Sequence, residues 1–443
     1  MNKKTLLAIN LNEYNLDFLN KGARKYDCYN IKKFLKLKNI KTFSIDKIQD
    51  KNLDPWVQNI SINSGQRSSK HKIFNLGQKI SNNIDQIWDY LSKKNYKCGV
   101  WGPMNTNFKD HKNIKIFLPD PWNYKSNVKP IELNKIYRLS RVYARDYTDF
   151  NIFKNLKLFL NFFLYSIKSL ALFELLKYFP LYLKIITRNG IKNYFLFFIF
   201  DIISLIIFKN ISKKFKLNFS LIFLNSLAHF QHNNWDEKEN HKDYFLLTDQ
   251  IFYLIFKLSK GYDSLLIYNS FSQKLVKTRY LIRPKNPLNF FKSKNIQFTK
   301  FHSNMTNGFI ITFSNKKDFN HGLKKIKNFT ICGFKLFEIK LLKKNQFFCR
   351  VQIQSKKDIS KYDINYNNIK KNLFYNKNAD SIKKNDNIDI FEFINTFSFI
   401  KTTSKHTHEG SLFYKNLNLK IQKKIENIEI FKLIQKIFYN YEI

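Results

Sequence analysis

Thr5–Asn10 (TLLAIN) runs apolar straight into the polar Asn10-Leu11-Asn12-Glu13, and that junction decides how the rest of the chain is read. A short apolar run ending abruptly in hydrogen-bonding side chains is how a buried strand hands a loop to the edge of an open sheet. The same pattern recurs at Thr42–Ile45, Cys98–Trp101, Ile114–Leu118, Phe219–Leu224 and Leu265–Tyr268. Helical stretches such as Lys79–Lys94 and Asp249–Leu258 lie between these runs. Strand then helix, repeated, predicts an α/β fold with a central, mostly parallel sheet and helices on both faces.

Working outward, strand signals vanish between about Lys129 and Lys216, and helical apolar periodicity replaces them. The expected organisation is therefore a core at 1–128, a helical cap insertion at 129–216 and more core at 217–284. A small α+β module at 285–385 follows, opened by Pro284 and Pro287 and containing Gly308–Phe313 (GFIITF) and Phe334–Ile339 (FKLFEI). Residues 386–443 complete the core, with helix-like spacing from Leu417 to Tyr439. Within the insertion, Tyr194–Phe208 (YFLFFIFDIISLIIF) is 15 residues long. As a helix it would reach about 22 Å, against a hydrocarbon core of about 30 Å. Asp201 sits in its middle, so a buried core helix is expected. The lysine-punctuated Leu/Phe pattern from Phe153 to Lys184 could rest on anionic headgroups.

The chain has 443 residues, 77 Lys+Arg against 33 Asp+Glu, and a formal net charge of +44. With 46 Phe and 24 Tyr it is too aromatic for a disordered polycation. Its lysines are spread along the whole length and no nucleic-acid-binding motif accompanies them, so sequence-specific nucleic-acid binding is not expected. An anionic small molecule or glycan, or peripheral association with an anionic membrane, fits the charge better. Heavy use of Lys, Asn, Ile and Phe with only 11 Gly and 8 Pro also fits an A+T-rich coding sequence, which makes part of the charge compositional. Cys28, Cys98, Cys332 and Cys349 are scattered with no chelating spacing. No secretory signal is visible after Met1, and a cytoplasmic or membrane-peripheral protein is expected.

Open α/β sheets place their chemistry at the C-terminal ends of the strands. Polar clusters fall there: Asn10–Glu13, Asn225–His232 (NSLAHFQH) and Asn269–Gln273 (NSFSQ), with His406–Gly410 (HTHEG) near the end. Taken in order they resemble the alkaline phosphatase superfamily, in particular its phosphodiesterase and nucleotide-pyrophosphatase-like branch. Leu6–Glu13 is placed like the family's opening strand and first metal-binding Asp-Gly. Trp56–Gly65 (WVQNISINSG), followed by His71–Phe74, resembles the nucleophile helix and the element after it. Phe223–His232 resembles a strand ending in a liganding Asp with a His four residues on, Leu265–Ser272 one ending in Ser-Asp-His-Gly, and His406–Leu412 the late His motif. Leu118–Trp122 (LPDPW) and Ala228–His232 (AHFQH) are similar to elements of an uncharacterised bacterial subgroup.

The resemblance implies two divalent ions activating a Thr, Ser or modified Cys nucleophile. Against that pattern Asn12 replaces the first liganding Asp, Ala228 the central one, and Ser270-Phe271 the Asp-His pair, while His232 and His406 remain. The nucleophile place, ten residues before Gly65, holds Pro55, and the anion-stabilising Asn is matched by Gln58. A degenerate site is expected, with one divalent ion (Zn or Mn) or none, whose candidate ligands are Asn12, Glu13, His232 and His406. Candidate catalytic residues are Asp54 or Ser61 as nucleophile, Gln58 as anion stabiliser and His229 or His232 as acid/base. Two functions follow: a phosphoester or sulfoester hydrolase or transferase with a rebuilt, metal-poor site, or a non-catalytic binder of a phosphorylated or anionic glycan or lipid-linked ligand.

Overall fold

The computed structural model describes residues 4–46, 53–78, 80–123, 127–146, 153–285, 287–303, 308–331, 334–342, 345–351, 395–417, 419 and 421–439. The chain divides into two compact units, the first made of Met1–Ala144, Asn151–Thr278 and Thr402–Ile443 and the second of Arg145–Phe150 and Arg279–Lys401. Residues 147–152 of the expected insertion, Lys79, Cys332 and the expected boundary at 385 lie outside the described residues.

The first unit is built on strands β1 (Leu6–Leu11), β2 (Lys38–Phe43), β3 (Cys98–Trp101), β4 (Ile114–Leu118), β5 (Phe219–Leu224) and β6 (Ser264–Tyr268). Later in the chain come β7 (Ser272–Pro284), β8 (Lys300–Ser303), β9 (Gly308–Thr312), β10 (Thr330–Ile331), β11 (Phe334–Lys335), β12 (Phe337–Leu341), β13 (Gln346–Val351), β14 (Phe397–Thr407), β15 (Glu409–Lys415) and β16 (Lys424–Glu426). The central sheet has the order β16-β2-β15-β6-β1-β5-β3-β4 and is parallel except for β15, which runs against both neighbours. This is the mixed α/β class with a mostly parallel sheet that the alternating pattern predicts.

β1 shows why its sequence is apolar without alternation. Leu7, Ile9 and Leu11 face one cluster, with Leu19, Ile31, Phe34, Leu205 and Ile251 from the helices Leu16–Lys25, Tyr29–Leu35, Asn193–Ser212 and His241–Ser259. Leu6 and Ala8 face the other, with Trp88, Leu91, Ile434 and Ile437 from Ile87–Lys93 and Glu429–Tyr439. A strand covered on both faces has no solvent side to be polar on. Between Asn134 and Ser212 every regular element among the described residues is helical. The last of these helices is long and apolar enough to cross a membrane by composition, yet 67% of its most apolar window is buried inside the protein.

Three local expectations shift. The helix expected over Lys79–Lys94 begins only at Ile87, where Gln86 and Asp89 form a reciprocal capping box. The expected strand Thr42–Ile45 lies earlier, as β2. The Leu417–Tyr439 periodicity is not one helix: β16 uses Lys424–Glu426, and the helix starts at Glu429, whose carboxylate accepts the Glu426 N–H. In the second unit, β8, β9, β12 and β13 form an antiparallel sheet around a phenylalanine cluster including Phe291, Phe309, Phe337 and Phe347. Cys28, Cys98 and Cys349 are buried and unbridged.

Candidate functional site

β6, β1 and β5 are adjacent and parallel, so their C-terminal ends open on a common crevice. β1 delivers Asn12 and Glu13, β5 leads into the helix Ser226–Asn233 that carries His232, and β6 ends at Tyr268, just before Ser270 and Phe271. His406 comes from β14, and its ring packs edge-on to Phe271.

Glu13 is the centre of this group, 1% exposed. Its Oε2 accepts from Gln273 Nε2 at 2.6 Å and lies 2.9 Å from His232 Nε2 and 3.1 Å from His406 Nε2. Its Oε1 accepts from Asn12 Nδ2 at 2.9 Å. The backbone of Glu13 is left-handed, with φ 55°, a conformation that costs a side-chain-bearing residue about 1–2 kcal/mol. The carboxylate of Glu13 sets a negative charge one residue beyond the neutral amide of Asn12.

The hydrogen bonds assign the protons. Ser404 Oγ donates to Gln273 Oε1 at 2.6 Å, because the Gln273 amide nitrogen is turned to the carboxylate. With its one proton committed, Ser404 Oγ must accept from His232 Nδ1, 3.1 Å away. On His406, Nδ1 lies 3.7 Å from Asp54 Oδ1. Both rings thus aim Nε2 at one carboxylate oxygen. Burial pushes the Glu13 carboxyl up, but the facing imidazoles outweigh this and hold it well below the ordinary range. Burial opposes charge on His406, yet Glu13, Asp54 and the Leu53 carbonyl raise its pKa.

These residues also fit a metal ion. Glu13, His232 and His406 each offer a ligand atom, all within 4.8 Å of one another. Donors sharing one ion at about 2.1 Å lie about 3–3.5 Å apart, close to the 2.9 and 3.1 Å separations here. The Nδ1 proton held by Ser404 fixes the His232 tautomer that leaves Nε2 for a ligand bond, and the buried Asn12 Oδ1 has no hydrogen-bond partner. The side chains of His232 and His406 are 30% and 20% exposed, so the group is reached from the imidazole side. Among the described residues no second group of this kind occurs, and the set fits one ion rather than two.

Of the other candidates, Asp54 alone approaches the histidine pair. It precedes the helix Pro55–Ser64 at its N-terminus, with its side chain 26% exposed. Gln58 is fully buried and both ends of its amide are committed, Nε2 to Asp46 and Oε1 to Asn427, which removes it from anion stabilisation. Ser61 is 1% exposed and pairs with His71 Nε2 at 3.0 Å. His71 Nδ1 accepts the Ile73 N–H, so Nε2 carries the proton and cannot serve as a base for Ser61. His229 stacks on Phe197 with centroids 3.7 Å apart, and burial, aided by His232, drives its pKa down to about 3, which leaves it neutral. Within AHFQH the division of labour is clear: His232 enters the site, while Gln231 Oε1 accepts the Asn15 N–H at the start of a helix. In LPDPW, Asp120 ties the backbone of Trp122 and Asn105.

Sequence reasoning missed Ser404. The signal was present, because Ser404 and His406 are two apart on one strand and therefore share a face.

No protein-family profile matches the chain, and no curated protein matches it. Among solved structures it is similar to phosphonoacetate hydrolase from Sinorhizobium meliloti in complex with phosphonoformate, at 9% identity and TM-score 0.42, covering 97% of this chain and 94% of that one. It is similar to murine ectonucleotide pyrophosphatase/phosphodiesterase 5 at 8% identity and TM-score 0.42, covering 98% and 95%. It is likewise similar to the alkaline phosphatase of the Antarctic bacterium TAB5, at 9% identity and TM-score 0.38, covering 99% of each chain. The residue roles given for this chain rest on its own geometry.

Proposed function

We propose that the chain processes a phosphate or sulfate ester in the crevice, with one divalent cation held by Glu13, His232 and His406. The observation that carries this reading is the convergence of two imidazoles, that of His232 with its tautomer fixed by Ser404, on a buried carboxylate that follows the end of β1. The cation, when bound, supplies a positive centre for the anionic ester. Asn12 and Gln273 hold the carboxylate in place through both of its oxygens. Asp54, beside His406, is the carboxylate placed to act as nucleophile or general base. Pro55 at the nucleophile place and the committed amide of Gln58 favour a second reading, in which the same site binds the anion without turning it over.

The test is metal content of protein purified without chelator, calorimetry with Zn and Mn, and hydrolysis of aryl phosphate monoester, diester and sulfate by the parent and by Asp54→Asn. Metal-dependent turnover lost in Asp54→Asn supports the first reading. Metal and phosphate binding without turnover supports the second. Absence of metal binding, or binding unaffected by Glu13→Gln, removes both.

A further inference from the structure

The helices Leu156–Lys168, Ala171–Leu176 and Phe179–Asn189 carry an apolar stripe on the side away from the core. In the first, Leu156, Phe159, Leu160, Phe163 and Leu164 recur at helical spacing and are 41% to 60% exposed. The same helix meets the core through Tyr165 instead. Phe173, Leu176, Phe179 and Leu183 extend the exposed apolar surface along the next two helices at 47% to 55%. Contiguous exposed apolar surface of this kind marks an interaction site.

Charge narrows the occupant. Lys157, Lys168, Lys177 and Lys184 are exposed among these apolar side chains. The one acid between Phe153 and Lys192 is Glu174, and it is turned inward, bonded to Lys209 and Lys257. The surface is therefore apolar and cationic together. Two copies of it face to face would oppose like charges on a chain of net charge +44, within the Debye length of about 8 Å at physiological salt.

We propose that this helical surface docks flat on an anionic lipid bilayer, with the Leu/Phe stripe at the acyl boundary and the lysine ammonium groups among the headgroup phosphates. The three helices have 13, 6 and 11 residues, which as helices reach about 20, 9 and 16 Å against a hydrocarbon core of about 30 Å, so they lie on the membrane rather than cross it. The longer helix Asn193–Ser212 is committed to the protein, since Ile202, Leu205 and Ile206 are at most 1% exposed in the core. The inference stands independently of the metal site.

The full chain is mixed with phosphatidylcholine vesicles, with and without phosphatidylglycerol, and sedimented at low and at near-physiological salt. Sedimentation with the phosphatidylglycerol vesicles, weakened but not abolished by salt, is expected. Leu160→Asp with Phe163→Asp and Leu164→Asp should lower the partition coefficient about tenfold or more, with unchanged circular dichroism. Leu156→Ser with Leu160→Ser gives the same readout without added charge. The proposal is overturned if the parent stays in the supernatant, if both variants bind as well as the parent, if salt alone releases all of it, or if light scattering shows a dimer that these variants dissociate.

Discussion

Asp201 stands in the middle of the most apolar helix of the chain, and its carboxylate caps the start of another. Oδ2 accepts from the N–H groups of Asn225 at 2.9 Å and Ser226 at 2.8 Å, satisfying backbone donors that open the helix bearing His232. Burial pushes its pKa up to about 6, against the pull of the bonds from Ser226 and Asn225. A rise from 3.8 to about 6 means that the fold prefers the neutral acid by about 3 kcal/mol. The folded chain thus retains a proton that the unfolded chain has lost between about pH 4 and 6, so stability falls as pH rises through that window and is level above it. Asp201→Asn keeps an acceptor and removes the charge. It should be more stable than the parent by up to about 3 kcal/mol near pH 8, an advantage that vanishes towards pH 4. Asp201→Ala removes the acceptor and strands two buried N–H groups, placing it about 2–5 kcal/mol below Asp201→Asn at either pH. Urea unfolding followed by far-ultraviolet circular dichroism near pH 4 and pH 8 measures all three. An Asn variant weaker than the parent at high pH, or an Ala variant equal to the Asn variant, would refute the reasoning.

Ser404→Ala takes the acceptor from His232 Nδ1, and should weaken divalent-metal binding about 10–100-fold by calorimetry while the fold persists. Ser61→Ala should leave any ester hydrolysis unchanged, because Ser61 braces His71, and should lower stability by about 1–3 kcal/mol in urea. Gly410→Ala would place a methyl 2.9 Å from the Asn269 carbonyl oxygen and 2.6 Å from Thr42 Oγ1. A loss of about 2 kcal/mol or more is expected on thermal or urea unfolding, since β15 is pinned between β2 and β6.

The parallel sheet was legible because strands buried on both faces are apolar runs; β3, β4 and β5 begin and end where those runs do. Boundaries drifted where competing local signals exist. The capping pair Gln86 and Asp89 starts its helix well inside the stretch that periodicity marked, and Asn427 interrupts the run before Glu429, its amide bonded to Gln58 and to the Ser270 carbonyl. In the crevice, motif order gave Glu13, His232 and His406, which are far apart in the chain. It could not give the use of Gln58, Ser61 and His229 as bracing, because that depends on partners such as Asp46, His71 and Phe197 that nothing local announces. Asp201 carries the same lesson, since its sequence context suggests only an awkward charge, whereas its partners begin 24 residues later.

The four partners of Glu13 come from four separate stretches of chain, at Asn12, His232, Gln273 and His406. Substituting either imidazole alone leaves a buried anion short of a partner, and substituting Glu13 alone turns its partners on one another. Drift through single substitutions therefore meets a barrier here that it does not meet at Asn12 or Ala228, where a neutral side chain is already accommodated. A double-mutant cycle across Glu13 and His406 should return a coupling of about 1–3 kcal/mol, and a value near zero would mean that each residue is free to change by itself. The carboxylate and its two imidazoles form one knot, each holding the others in place, so they are expected to change together rather than one at a time.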